Sequence, residues 1–337
     1  MKSIINKLQE KKNLTADEMT QVMQAIMSGQ ALSGDIRSFL LALRTKGATV
    51  EEITVAAQIM REFVVRVSVA DRVVLDTCGT GGDKVGTFNV STLAALVVAG
   101  AGVKVAKHGN RSVSSRCGSA DILEALGVDI HMPVERLAEC LEKTGIAFLF
   151  AQRLHPAMKN VAPIRKELGV ETIFNVLGPL TNPALATHQM MGIYDKALVE
   201  PMAHVLRNLG LKKALVVHGC DGLDEVTTTG KTFVSEFNGR DIQSYTITPM
   251  ELGIRIVKLE DLKGGDLEVN VQISRDILAG QEGPQADIVL LNAGCALYIS
   301  EKAKTISEGI AQARVSLKSG KAREKLEALQ EFSQNVR

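Results

Sequence analysis

Two patterns of apolar spacing divide the chain. From residue 1 to about 65, apolar side chains recur at helical intervals, as in Ile36, Leu40, Leu41 and Leu43. Thr15-Ala16-Asp17-Glu18 and Thr49-Val50-Glu51-Glu52 each set a threonine three residues before a glutamate, the pattern of a capping box. Gly29 and Gly47 fall where such helices should stop. From Val73 onward, short apolar runs alternate with helical stretches. Val73-Val74-Leu75, residues 103–106, 147–150, 214–217 and 287–292 read as buried strands. Residues 93–101 and 120–126 read as helices, and so does the charged stretch from about 303 to 332. Such alternation predicts a largely parallel sheet flanked by helices. The expected class is α/β, a small all-helical part followed by a larger α/β part with a mostly parallel central sheet. Residues 153–185 interrupt this texture with proline-punctuated helical pieces. They would cap the end of the sheet or pack back on the N-terminal helices.

Composition narrows the field. The 337 residues are 45% apolar, enough for a substantial core, and 23% charged. A net charge of +1 gives no strong field for nucleic acid or an anionic membrane, and 4% aromatic residues leave little for base stacking. The longest apolar run, Leu93 to Val103, is too short to span a bilayer. The five cysteines are widely spaced, with no Cys-x-x-Cys pair, so they read as small apolar fillers in a reducing compartment. No signal peptide is evident. A cytoplasmic enzyme is the expectation.

The richest chemistry lies in residues 76–92, Asp-Thr-Cys-Gly-Thr-Gly-Gly-Asp-Lys-Val-Gly-Thr-Phe-Asn-Val-Ser-Thr. A strand ends, Gly79, Gly81 and Gly82 follow, and Asn89-Val90-Ser91-Thr92 opens a helix with Asn89 or Ser91 near its N-cap. Glycines let backbone N–H groups approach an anion, and a helix N-terminus adds free donors and positive dipole. The loop fits neither common phosphate signature. No lysine follows Gly86, as a Walker loop requires, and Lys84 sits where a dinucleotide loop needs its third glycine. Asp83 would repel a bare phosphate unless a metal ion or a ribose hydroxyl lay between. A sugar phosphate carrying Mg²⁺ satisfies both facts; a ligand-free glycine turn satisfies the spacing alone.

A second polar turn, Lys107-His108-Gly109-Asn110-Arg111 through Gly118-Ser119-Ala120-Asp121, follows the next strand and should emerge at the same carboxyl edge. It offers the cations Lys107 and Arg111 and the hydroxyls of Ser114, Ser115 and Ser119. A third candidate, Asp224-Glu225, suits a hard cation and suits an ordinary acidic loop equally well. Together with Asn175-Val176-Leu177-Gly178-Pro179-Leu180-Thr181-Asn182-Pro183, this ordered set resembles the anthranilate phosphoribosyltransferase family. The resemblance runs from the N-terminal helices to about residue 300. Thr227-Thr228-Thr229, after the acidic pair, have no reading from it.

The resemblance implies transfer of a 5-phosphoribosyl group from phosphoribosyl pyrophosphate (PRPP) to the amino group of anthranilate, the second step of tryptophan biosynthesis. It implies a helical domain of residues 1–70 plus about 153–185, an α/β domain of 71–152 plus about 186–337, and a homodimer formed through the helical domains. Gly79, Gly82, Asp83, Thr87, Asn89, Ser91, Thr92, Lys107 and Ser119 would bind PRPP. Gly79, Asn110, Arg165, His108, His155 and Gly178 would surround anthranilate, with Arg165 on its carboxylate. Ser91, Asp224 and Glu225 would hold Mg²⁺, in all two ions. No catalytic base is obvious; His108 is one option and a hydrogen-bonding wall is the other. The rival readings are a pyrimidine-nucleoside phosphorylase of the same fold and an inactive relative that binds nucleic acid.

Overall fold

The computed structural model describes residues 1–82, 85–112 and 117–335. The chain opens with helices α1 (Lys2–Gln9), α2 (Ala16–Met27), α3 (Ser33–Lys46) and α4 (Val50–Glu62). Both expected capping boxes form. Thr15 Oγ1 accepts from the Glu18 amide at 3.2 Å, and Thr49 Oγ1 from that of Glu52 at 3.2 Å. Each cap is worth about 1 kcal/mol. Glu52 is buried because every bond it needs is present. It accepts from the amides of Leu14 and Thr49 and forms a 2.8 Å ion pair with Lys46. Gly47 ends α3 at φ +86°.

There follow β1 (Leu75–Gly79), α5 (Val90–Gly100), β2 (Val105–Gly109), α6 (Ser119–Ala125), α7 (Val134–Thr144), β3 (Ile146–Phe150), α8 (Ala151–Leu154), α9 (Ala162–Leu168) and α10 (Phe174–Leu177). After them come β4 (His188–Gly192), α11 (Val199–Asn208), β5 (Lys213–Gly219), β6 (Thr232–Phe237), β7 (Ile242–Ile247), α12 (Leu267–Leu278), α13 (Pro284–Ile299), α14 (Ile306–Lys318) and α15 (Lys321–Gln334). Among the described residues the sheet has the order β3-β2-β1-β4-β5-β6-β7. The first five strands are parallel, and β6 and β7 add an antiparallel edge.

Side-chain alternation along the strands divides the interior. Met190, Leu215 and Val217 face a core shared with α5, α13, α14 and α15. Their neighbours Met191, Ala214 and Val216 face a second core shared with α1 to α4, α11 and residues 157–180. The sheet is therefore buried on both faces, as a parallel sheet requires.

One expected strand is a helix. Residues 287–292 lie inside α13, which is buried on almost every side by the sheet, α5 and α14. A helix apolar all round has no 3.6-residue period, so a six-residue window of it looks like a buried strand. The first strands also run further than their apolar residues. β1 and β2 continue through polar Asp76-Thr77 and Lys107-His108, all four buried.

Candidate active site

The carboxyl ends of β1, β2, β4 and β5 meet beside the point where the strand order reverses between β1 and β4. β1 brings Asp76, Thr77 and Gly79 there. A Cβ on Gly79 would overlap Asp224 Oδ2, so only glycine lets the acidic loop approach. Gly81 and Gly82 take φ of +65° and +83°, and the Gly81 amide donates to Asp224 Oδ2 at 2.8 Å. Asp83, with Lys84, Ser114 and Ser115, lies outside the described residues.

α5 aims its N-terminus at the same place. The Ser91 amide donates to Glu225 Oε1 at 3.1 Å, so the helix dipole meets a carboxylate. Asn89 occupies the N-cap position without capping through its side chain; it reaches Cys117 O at 3.1 Å and joins the two polar turns. Asn89 Oδ1 and Thr92 Oγ1 are buried without a partner among the described residues, a cost that a polar ligand would offset. The backbone at Thr87 is tied to a neighbouring loop. It bridges to Lys263, while Gly86 O accepts from the Gly264 amide.

β2 contributes Lys107 and His108, both buried. Lys107 Nζ donates to Thr77 O at 2.6 Å and lies 3.4 Å from Ser91 Oγ. Burial pushes its pKa down, and the carboxylates of Asp76, Glu225 and Asp224 pull it back. Asp76, fully buried beneath it, is pushed up by burial, opposed by Asn182, by Lys107 and by the amide of His108, which bonds Oδ1 at 3.1 Å. His108 Nε2 lies 3.0 Å from His155 Nε2. Burial holds both rings neutral: His108 falls well below the ordinary histidine range, helped by His155 and Lys107, and His155 falls to about 4. One Nε2 must therefore donate and the other accept.

In the second polar turn, Ser119 Oγ bonds the Asn110 backbone at both N–H and carbonyl, each at 3.2 Å, at the start of α6. Arg111 is already committed. It pairs with Asp121 at 2.8 Å and grips Glu124 with both terminal nitrogens, its guanidinium lying over Phe150. The free cation that the sequence suggests there is spent on structure.

Residues 178–182 form a strap over the site. Pro179 O accepts from Gln189 Nε2 at 2.6 Å, and Asn182 Nδ2 donates to Ala106 O at 2.8 Å. Gly178 O faces the His108 ring. Arg165, on α9, donates to Asn175 Oδ1 at 3.3 Å and lies over Phe174, and burial lowers its pKa. A cavity of about 10 Å³, the space one water needs, is lined by Thr77, Ser91, Gly192 and Glu225 among others.

Asp76, Thr77, Asn182, Gln189 and Gly192 escaped assignment from the sequence. A polar pair continuing a strand, at 76–77, was the one signal available. The assembled donors are all oxygen: two carboxylates and the Ser91 hydroxyl. Such a set fits Mg²⁺, which keeps several waters and completes its shell with substrate phosphates. Among the described residues no group of three or more His, Cys, Asp or Glu forms a closed metal cage.

A helical bundle and an α/β sheet whose strand ends gather backbone amides, a buried lysine and oxygen donors define the class. Residues 2–64 match the glycosyl transferase family, helical bundle domain, and residues 71–323 its a/b domain. An anthranilate phosphoribosyltransferase of Persephonella marina is 54% identical over 99% of both chains. The crystal structure of anthranilate phosphoribosyltransferase from Thermus thermophilus superposes with a TM-score of 0.94 at 45% identity, covering 98% of this chain and 99% of that one. The Saccharomyces cerevisiae enzyme in complex with PRPP and Mg gives a TM-score of 0.91 at 30% identity, with coverage of 98% and 97%. This chain belongs to the anthranilate phosphoribosyltransferase family.

Proposed function

We propose that the chain carries out the reaction of its family with the residues gathered at the strand ends. The 5-phosphoribosyl group passes from PRPP to the amino group of anthranilate, giving N-(5-phosphoribosyl)anthranilate and pyrophosphate. The C1–O bond to pyrophosphate breaks as the amine approaches from the opposite face. The barrier is charge on the leaving group. Backbone donors of the glycine turn and the first turn of α5, with Asn89, Thr92 and Ser119, receive the phosphates, and Lys107 supplies a fixed positive charge in a dry site. Mg²⁺, when bound, neutralises the pyrophosphate further. Ser91, Asp224 and Glu225 would be its protein partners, Ser91 toward one ion and the acidic pair toward a second.

Arg165 takes the anthranilate carboxylate, its guanidinium already oriented by Asn175 and Phe174. Gly79, Asn110, Gly178, His108 and His155 shape the surrounding space. His108 acts as a wall, because its Nε2 is engaged by His155 and burial disfavours its protonated form. The aniline nitrogen, weakly basic, loses its proton after C1–N bond formation has begun. Residues 1–70 and 153–185 act as one helical unit, supported by their shared core. Two chains pair through it, a reading supported by exposed Leu32 and Leu41 on and beside α3. The enzyme works in the cytoplasm, in keeping with five free cysteines. Among the described residues no helix is long and apolar enough to cross a membrane.

One observation carries this reading: Ser91 lies against Lys107 through its hydroxyl and against Glu225 through its amide. Cation, helix terminus and carboxylate thus converge on one point. Anthranilate fluorescence tests it. The signal should decay only when PRPP and Mg²⁺ are both present, and persistence with both overturns the reading. Arg165→Ala should raise KM for anthranilate at least about tenfold while leaving that for PRPP near its original value.

A further inference from the structure

Asp224 and Glu225 stand, half-buried, on the turn between β5 and β6, where no regular backbone ladder sets the shape of the chain. Two side chains outside the pair give it one. Asp221 Oδ2 accepts from Thr227 Oγ1 and Thr229 Oγ1, both at 2.6 Å, and Asp221 Oδ1 accepts from the Leu223 amide at 3.2 Å. One carboxylate therefore ties the residue before the acidic pair to two residues after it. The second device comes from α13. Asn292, buried to 1% exposure, receives the Val226 amide at 2.9 Å and returns Nδ2 to Val226 O at 2.8 Å. Its remaining amide hydrogen goes to Ile288 O at 2.8 Å, which fixes its rotamer. Leu223 and Val226, on either side of the pair, are fully buried anchors.

We propose that Asp221 and Asn292, with Thr227 and Thr229 as the hydroxyl partners of Asp221, are positioning residues that set the spacing of Asp224 and Glu225 for a divalent cation. The inference rests on the metal role of that pair proposed above. It also gives the threonine run a purpose: hydroxyls at 227 and 229 meet a single carboxylate oxygen. A group placed about 1 Å from its productive position loses much of its effect, so rigidity of this turn is worth metal affinity.

The test uses the full chain and Mn²⁺ as probe, its binding in the presence of PRPP read by electron paramagnetic resonance. Asp221→Asn and Asn292→Asp should each weaken Mn²⁺ binding about tenfold, as outer partners of metal ligands do. KM for anthranilate should stay within about twofold, which confines the effect to the metal side of the site. Thr229→Val, nearly isosteric and half-buried, removes one of the two hydroxyl bonds and should weaken binding about threefold even if the other variants fold poorly. Thr227→Ser keeps the hydroxyl and should bind as the parent does. Asp224→Asn with Glu225→Gln is the reference. If the reference loses Mn²⁺ while Asp221→Asn, Asn292→Asp and Thr229→Val keep it, the positioning role is overturned and the metal pair stands. If the reference itself binds as many Mn²⁺ ions as the parent, and as tightly, the metal pair is wrong and the positioning role falls with it.

Discussion

At the scale of single residues, the buried polar groups decide the chemistry. Lys107 remains useful as a cation because carboxylates offset part of its burial. The two histidines are the opposite case, held neutral against each other in an apolar setting. This has a consequence for stability. His155 binds its proton near pH 4 when folded, against an ordinary value of 6.5. Between those values the unfolded chain takes up a proton that the folded chain refuses. The contribution of His155 is therefore fully present above pH 6.5 and lost as pH falls through about 4, with His108 adding loss in the same direction. The melting temperature should drop across this window, and His155→Gln should flatten the drop while preserving a hydrogen-bonding neighbour for the His108 ring. Thermal scans at half-unit intervals across the same window check it. An equally steep profile in the variant would place the acid sensitivity elsewhere.

At the scale of elements, close approach of backbones matters more than any motif. β4 and the acidic turn touch at Gly192, where a Cβ would overlap the carbonyl oxygen of Asp224. The Thr80 amide also donates to Gly192 O at 3.0 Å, so the strand end is clamped between the glycine turn and the acidic turn. Gly192→Ala should push the acidic turn away from both. A cost of about 1–3 kcal/mol in stability follows from overpacking, and the Mg²⁺ concentration for half-maximal rate should rise severalfold. Urea denaturation and a Mg²⁺ titration of initial rates measure the two effects, and a variant with unchanged metal dependence would show that the turn yields without moving its carboxylates. Nothing in the sequence marks Gly192, because its need arises from a contact made across the sheet. What was legible was local: the two capping boxes, the glycine turn, the helix after Asn89, and strands whose apolar residues are consecutive. β4, β6 and β7 passed unseen, since Met190-Met191 in β4 is a short apolar run, buried Ser235-Glu236 interrupt the apolar residues of β6, and β7 is a mostly polar edge strand. The Asn292 clamp was hidden for the related reason that a uniformly buried helix carries no period. Arg111 shows the converse limit. Its charge is visible in the chain, but the two acids that absorb it are separated from it by 10 and 13 residues and meet it only after α6 forms.

At the scale of the whole molecule, the helical bundle and the sheet are joined through the strap and α11, and one guanidinium sits at the junction. Arg61, in the last turn of α4, donates Nε to Leu180 O at 2.7 Å and Nη1 to Leu209 O at 3.2 Å. Its acceptors are carbonyls, one in the middle of the strap that carries Gly178 and one just beyond α11. Burial lowers its pKa to about 10, with Arg66 adding to the fall, so it remains protonated at neutral pH. The guanidinium holds Nε and Nη1 at fixed, separate positions toward the two carbonyls, and lysine at this position would keep the charge while offering both of them a single nitrogen. Arg61→Ala would leave both carbonyls without this donor. A destabilisation on the order of 2–4 kcal/mol is expected from the lost charged hydrogen bonds and the unfilled volume. The kinetic effect should be selective. The strap bears Gly178 and follows directly on α10, whose Phe174 and Asn175 hold Arg165, while α5, proposed to meet the phosphates, belongs to the other core. Arg61→Ala should thus raise KM for anthranilate severalfold with little change for PRPP, and Arg61→Lys should fall between it and the parent. Denaturation curves paired with initial rates over both substrates separate the outcomes. Lower stability with both KM values unchanged would mean that the junction holds the two parts together without shaping the acceptor side of the site. A rise for PRPP instead would mean that the bundle acts on the phosphate side, through the sheet rather than the strap.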